Sequence, residues 1–586
     1  MINEKSKARE ILEDVALLTL GLGLIYFSMS GLRPFSNPDE GRYAEIPREM
    51  VASGEWVTPR LNGVLYFEKP PFFYWLEALT LKVCGMHEAT LRFWPAALGI
   101  LGCLMVYATG RKLYGRAAGI LSAIVLGTSL LYFGLSQIII LDMAVSVFIT
   151  GALCFFILGV REVQGRTRML LLLGFYLCMA VATLTKGLIG LAIPGAIIFL
   201  WTLLLWRWKA ISPLYLSLGI PVFLLVAVPW HVLAARATPA SEHSAGFFST
   251  NNKGQGFLWY YFMHEQVLRY LTTIHRRTQP FWFFFAVLPA GLFPWVTFLP
   301  QAVKHAFAGG WKKRKEQPEI FFFAIWIVFV LLFFSTSQSK LIPYILPLYP
   351  ALALLVGRYL AAAWENPGKN SLKGGYVAYG IVAVLLAAAV PIVLHSRGDK
   401  TPAQALPLFG LIIGTLAVSS LLIFWFARRN APSRGLVVLM LAAAGISLVF
   451  NPLAAQLIQK QRPSTKAFSE FLKPRLTPDT PVFSLLAYYQ DLPPYLGRLI
   501  GVVDYLPDEQ EFGLSMEAHS NRYLNVPEFI ELWQGKQRVF ALTAASTYQM
   551  FAGRNPGWQP FMVMRDGDFV LLSNRPESYN PELVKP

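Results

Sequence analysis

The stretch SNPDEGRYAE, residues 36–45, places Asp39, Glu40, Arg42 and Tyr43 directly after an apolar run. Ionisable groups at the end of a membrane-spanning run cost free energy unless they meet a substrate, a metal or one another. Asn37-Pro38 signals a turn that can also start a helix with an acid in its first turn. Alone, Asp39 or Glu40 reads as a helix cap at a membrane surface. Arg42 and Tyr43, three and four residues beyond Asp39, fall on the same helical face, and that company points to a ligand. Farther on, YFEKPPFFYW sets Glu68 and Lys69 before two prolines, which hold the chain extended and fix where the side chains point.

A second acid, Asp142 in GLSQIIILDMAV, follows four apolar residues. Its plain reading is a loop acid. A carboxylate costs about 2.5–3.5 kcal/mol at the centre of a spanning helix and less near the interface, so at the rim it reads as functional. Lys186 in LTKGLIG and Lys340 in STSQSKLIPYILPLYP stand at helix ends, where a lysine also snorkels. Residues 260–280, YYFMHEQVLRYLTTIHRRTQP, add His264, Glu265, Arg269, His275, Arg276 and Arg277. His264 and Arg269 are five apart and need not share a helical face. No HExxH spacing supports His264 as a metal ligand. Two acids with several cations suit a phosphate-bearing lipid with a sugar head group.

The elements that must position these residues are membrane helices. Only 15% of the 586 residues are charged and 55% are hydrophobic, where a soluble chain carries about 25% charged; mean hydropathy is +0.47. Thirteen apolar spans are expected, near 12–31, 90–109, 117–134, 143–160, 169–184, 188–206, 212–233, 281–303, 319–336, 342–359, 375–394, 404–426 and 435–455. The first has a basic flank without an A-x-A-like cleavage site, so it is expected to be an uncleaved anchor. The net charge of +17 gathers in the short gaps that alternate between spans, among them the WKKRKE run. That is a positive-inside pattern rather than a nucleic-acid surface. It predicts a cytoplasmic N-terminus and puts the segment 456–586 outside, which the resemblance described below makes periplasmic. The fold class expected is an α-helical polytopic membrane protein, residues 1–455, with outer loops 32–89 and 234–280. Within the first loop, IPREMVASGEW and FFYWLEALTLKV read as amphipathic helices too short to span. Residues 456–586, with the β-like runs PVFSLL, LIGVV, RVFALT and DFVLLS, read as a soluble α/β domain. Cys103, Cys154 and Cys178 fall in apolar runs and Cys84 stands alone, which suggests neither a disulfide framework nor a CxxC site.

The DE-x-x-YA element, FEKPP, the lone Asp after the third span and SKLIPYILPLYP together resemble polyprenyl-phosphate-dependent glycosyltransferases of the GT-C superfamily. More narrowly, they resemble the lipid A 4-amino-4-deoxy-L-arabinose transferases of Gram-negative inner membranes, with protein O-mannosyltransferases as relatives. The likeness covers most of the chain, and its specificity lies in the order of the elements. It implies a GT-C fold of about thirteen spans, undecaprenyl phosphate-linked aminoarabinose as donor, and lipid A phosphate as acceptor. Asp39 and Asp142 match the family's catalytic-site acids. Arg42, Lys69, Arg269 and Tyr344 match positions around the donor phosphate, and Tyr43, Lys186 and Lys340 join them as substrate-binding candidates. Glu68 and His264 match a candidate position for a divalent metal, and no nucleotide cofactor is expected.

Expelling a lipid phosphate from a sugar C1 calls for fixed cations on the leaving group. A lipid A phosphate, with a second pKa near 6 by analogy with other phosphomonoesters, needs no general base. Asp39 then orients the acceptor or stabilises an oxocarbenium-like sugar, and Asp142 is an alternative partner for the protonated amino group. Two other readings stay open. One is the same fold serving another lipid-linked sugar with a lipid or protein acceptor. The other is a transporter of lipid-linked sugars; such a protein should show half-matching repeats and broken midplane helices, and the chain shows neither.

Overall fold

A computed structural model describes residues 2–240, 255–273, 277–367, 371–397, 402–461, 463–516 and 522–577. Nine described helices are long and apolar enough to cross a bilayer, from Glu88–Tyr114 to Pro432–Lys460. Two further spans are bent pairs. Arg116–Gly127 and Leu130–Ser136 meet at 64° across Thr128 and Ser129, while Phe283–Gly291 and Trp295–Ala306 meet at 99°. The second bend falls at Pro294, which lacks an N–H and crowds the preceding turn. Ile189–Leu205, at 17 residues, is shorter, and Ile2–Phe27 carries the first apolar run. Each of the thirteen expected spans thus lies on a helix or a bent pair. Hydropathy did not register the bends, so the expectation that the chain has no broken helices is corrected: two pairs break, at 64° and 99°.

By packing, the chain divides into two compact units. Met1–Ser30, Arg92–Leu233 and Tyr261–Gln456 form the helical one, and Gly31–Leu91, Ala234–Tyr260 and Leu457–Pro586 form the other. The segment 457–586 therefore shares its unit with the loop 31–91, which the sequence had assigned to the membrane domain.

That second unit is built on a small hairpin and a six-stranded sheet. In the hairpin β1 (Arg60–Leu61) pairs with β2 (Val64–Leu65). Asn62 and Gly63, at φ 53° and 80°, form the two-residue turn that Asn-Gly favours. The sheet comprises β3 (Val482–Leu485), β4 (Gly501–Val503), β5 (Tyr523–Leu524), β6 (Phe540–Ala544), β7 (Phe561–Asp566) and β8 (Phe569–Ser573), in the order β5-β4-β3-β6-β8-β7. β5, β4, β3 and β6 run parallel, and β8 is antiparallel to both β6 and β7. The four expected β-like runs are β3, β4, β6 and β8. β5 has only two residues, and β7 carries a register shift between Met562 and Met564, so neither gave a clean alternating signal. Phe483, Leu485, Val503, Phe529, Trp533, Phe551 and Trp558 form the core beneath the sheet. The helix Val526–Gln534 that supplies two of these rings starts on a capping box, Asn525 with Glu528.

The loop helices differ from expectation in burial. Asp39–Ser53 buries ten of its fifteen residues, Glu40, Arg42, Glu45 and Glu49 among them. It is not a helix with one wet face; it is threaded into its unit.

Candidate functional site

In the second unit the helix Asp39–Ser53 sorts its two leading acids. Glu40 is fully buried and takes the Arg33 guanidinium on both oxygens, with Ser36 N–H and Oγ at 2.9 and 3.0 Å. Glu40 thereby ties the turn before the helix to Arg33. Asp39 is exposed and makes no hydrogen bond or ion pair among the described residues. Its carboxylate is available.

Arg42 is buried. Its Nε donates to Gln490 Oε1 at 3.0 Å and its Nη2 to Glu509 at 3.1 Å. Gln490 also donates to Glu509. Burial opposes the charge on Arg42, but Tyr66, Glu509 and Glu68 outweigh it and hold the group above its ordinary value. Tyr43 stacks on Tyr74 with ring centres 6.0 Å apart. Tyr66 donates to Glu68 at 3.2 Å, and Lys69 lies 3.8 Å from the same carboxylate while donating to the Glu68 carbonyl at 2.8 Å. The cluster thus unites Arg42, Tyr43, Glu68 and Lys69, as expected from one loop, and adds Tyr66, Tyr74, Gln490 and Glu509. Nothing in the sequence marked the last two, because a Gln and a Glu on a soluble domain read as surface.

Glu77, on the helix Phe72–Cys84, is fully buried, and among the described residues neither carboxylate oxygen has a partner. Burial first, and the Glu40 carboxylate second, push its pKa well above the ordinary carboxylate value of 4.5. A raised folded-state pKa means stability that is complete below the unfolded value and declines as pH rises towards the folded one, at about 1.4 kcal/mol per pKa unit. Glu77→Gln is therefore expected to melt close to the wild type near pH 4.5 and at increasingly higher temperature than it towards pH 8. Thermal unfolding of both proteins in detergent across that range checks this, and a gap that stays flat with pH contradicts it.

In the helical unit a second cluster forms around Tyr344. Lys186 pairs with Asp142 and lies 5.0 Å above the Tyr344 ring. Arg269 reaches the Tyr344 hydroxyl at 3.4 Å and Glu265 at 2.7 Å, while His264 Nδ1 meets the other Glu265 oxygen at 3.1 Å. His264 sits in the π-helical segment Trp259–Leu268, which runs into Arg269–Leu271. His264 and Arg269 thus converge on the Glu265 carboxylate from either side. Lys340 stands elsewhere: its ammonium donates to the carbonyls of Ser337 and Gln279 at 2.6 and 2.9 Å, and burial lowers its pKa. Arg277 gives its carbonyl to the Lys340 N–H at 3.0 Å; His275 and Arg276 lie outside the described residues.

An apolar groove of about 730 Å³ opens on the same unit. Phe321, Ile325, Val328, Leu332 and Thr336 line it at helical spacing along one face of Pro318–Thr336. At 1.5 Å per residue that stripe runs ~22 Å. The lining also takes in Tyr270, the neighbour of Arg269, and Trp311.

For a metal, the fit is incomplete. Among the described residues no group of three or more His, Cys, Asp or Glu is placed to hold an ion. Glu68 is engaged by Tyr66 and Lys69, and His264 by Glu265.

Comparison with known proteins agrees in both units. Residues 24–244 match the family described as dolichyl-phosphate-mannose-protein mannosyltransferase, and residues 468–574 match the aminoarabinose transferase C-terminal domain. The undecaprenyl phosphate-alpha-4-amino-4-deoxy-L-arabinose arabinosyl transferase 1 of Sodalis glossinidius is 30% identical over 484 residues, which is 79% of this chain and 80% of that one. The transferase of that name from Enterobacter sp. (strain 638) is 31% identical over 374 residues. There the match takes in 63% of this chain and 64% of the relative, a little under two thirds of its length. The crystal structure of ArnT from Cupriavidus metallidurans bound to undecaprenyl phosphate superposes with a TM-score of 0.79 at 27% identity, covering 98% of this chain and 99% of the other. The fold is shared end to end.

Proposed function

Because the chain belongs to the family of undecaprenyl phosphate-α-4-amino-4-deoxy-L-arabinose arabinosyl transferases, we propose that it moves 4-amino-4-deoxy-L-arabinose from undecaprenyl phosphate to a phosphate of lipid A. It is a multi-pass protein of the bacterial inner membrane. The observation that carries the reading is the pairing of cation with groove in the helical unit. Lys186 and Arg269 meet at Tyr344, and the apolar groove begins beside them at Tyr270. A long-chain lipid with a phosphate head fits both features.

The reaction breaks the sugar C1–O bond as an acceptor phosphate oxygen bonds to C1, by direct displacement with inversion. Negative charge grows on the departing lipid phosphate. Fixed donors stabilise such charge more than water or lipid does, since they need not reorganise. We assign Arg42, Lys69, Lys186 and Arg269 to the phosphates of donor and acceptor. Asp142 holds Lys186 in place. Asp39, without a hydrogen-bond or ion-pair partner among the described residues, is assigned to the sugar as it gains oxocarbenium character. Mass spectrometry of lipid A from a deletion strain with and without the gene tests the proposal: a gain of the aminoarabinose mass supports it, and unchanged lipid A in cells that make the donor overturns it.

The basic inner gaps support an N-terminus in the cytoplasm and residues 456–586 in the periplasm. Cys84 is exposed and the other three cysteines are buried, so the chain carries its own reporter. An impermeant thiol reagent is expected to label the wild type in outer-membrane-permeabilised cells and to miss Cys84→Ser. In that background Lys536→Cys should be labelled and Lys312→Cys should not. The opposite pattern would remove Asp39 from the face where lipid A is modified.

A further inference from the structure

We propose that the C-terminal domain serves the reaction as a clamp on Arg42, with Gln490 and Glu509 as positioning residues. The inference rests on the assignment of Arg42 to a phosphate. In open parallel sheets ligands bind beyond the carboxyl ends of the strands, where the strand order reverses. Here β3 has β4 on one side and β6 on the other, so the reversal falls at the end of β3. The chain leaving β3 runs through residues 486–491, and there it meets another part of its own unit instead of a small molecule. Asp491, fully buried, accepts from Asn37 Nδ2 at 2.5 Å, Ser464 Oγ at 2.8 Å and Thr465 N–H at 2.7 Å. Its own N–H donates to Asn37 Oδ1 at 3.0 Å. A Cβ on Gly41 would sit 2.4 Å from Asp491 N. Residues 37–42 occupy the place where such a sheet ordinarily receives its ligand.

The consequence for Arg42 is geometric. Gln490 holds Nε, Glu509 holds Nη2, and Gln490 is itself tied to Glu509. The plane of the guanidinium is thereby fixed. Nη1 has no protein partner among the described residues, so one edge of the fork is presented, already oriented, to a phosphate. A planar fork held in advance loses less freedom when it binds an anion than a free one. The Arg42 and Glu509 side chains are only 8% and 14% exposed, so water competes weakly for the grip.

Binding of undecaprenyl phosphate to the purified full-length protein tests the clamp, with transfer measured on the same wild-type preparation. Gln490→Ala and Glu509→Ala are each expected to weaken binding about tenfold, the equivalent of about 1.4 kcal/mol, with thermal unfolding unchanged for Gln490→Ala. In an Arg42→Ala background neither substitution should weaken binding further, because they act through that side chain. Equal losses with and without Arg42, or no loss with it, overturn the clamp. Absence of transfer by the wild type would instead overturn the proposed function, so the two failures are distinct.

Discussion

Asp39→Asn is expected to reduce transfer below detection while the protein folds and inserts as before. Asparagine keeps the volume of the side chain and removes its charge. Asp39 is exposed and holds no partner among the described residues, so no buried network collapses when the charge goes. What the fold loses is an acid in the first turn of Asp39–Ser53, a helix-terminus contribution of about 0.3–1 kcal/mol. On the proposed mechanism, what the reaction loses is a carboxylate beside a sugar centre becoming positive. Glu40, one residue on, cannot substitute, since Arg33 and Ser36 occupy it. Thermal unfolding within a degree or two of the wild type, together with unmodified lipid A, is the expected pair of results. Near-normal modification would take the catalytic role away from Asp39.

Gly41→Ala should have the largest effect on architecture. Its added methyl would lie 2.4 Å from Asp491 N, 2.5 Å from Gln490 C and 2.8 Å from Asp491 Cα. All three are backbone atoms, which cannot swing aside as a side chain can. Overpacking ordinarily costs about 1–3 kcal/mol, and here the helix must separate from the segment after β3 to relieve it. Asn37, Arg42 and their partners Asp491, Gln490 and Glu509 would part together. The expected result is a large fall in melting temperature, proteolysis within 457–586, and loss of transfer. Gly553→Ala is the control: it lies within Ala545–Arg554 with nothing inside 4 Å of its Cβ, so alanine should be neutral or slightly stabilising. A Gly41→Ala protein as stable as the control would mean the close approach is absent in solution.

The spanning helices, nine of them long and apolar enough among the described residues, were legible because about twenty apolar residues in a row leave few alternatives. The bend at Thr128–Ser129 was not, since short polar residues inside a span are also common in straight helices. In the site, Asp39, Arg42, Glu68 and Lys69 stood out as charges in an aromatic loop, and they do share one unit. Their partners could not be read. Gln490 is 448 residues from Arg42, and spacing carries no signal over such a distance. Gly41 gave a usable hint that went unread: glycine inside a helix is costly unless something must come close. Glu77 escaped notice because one acid in FFYWLEALTLKV satisfies an amphipathic pattern, whereas the helix buries it. For Lys340 the sequence posed snorkelling against ligand binding. The two carbonyls it holds, those of Ser337 and Gln279, were visible to neither reading.

The second unit also sets a timetable. Its first segment, Gly31–Leu91, leaves the ribosome long before Leu457–Pro586 exists. Elongating through the roughly 450 residues between Arg42 and Gln490 takes on the order of 20–90 s at 5–20 residues per second. Through that interval the helix beginning at Asp39 has none of its distant partners, and Glu45, Glu49 and Arg42 have no finished interior to enter. A nascent or prematurely ended chain can therefore own every membrane span and both acids yet lack an ordered Arg42. On the proposed reading, competence waits for the synthesis of Leu457–Pro586, long after the spans and Asp39 are in place.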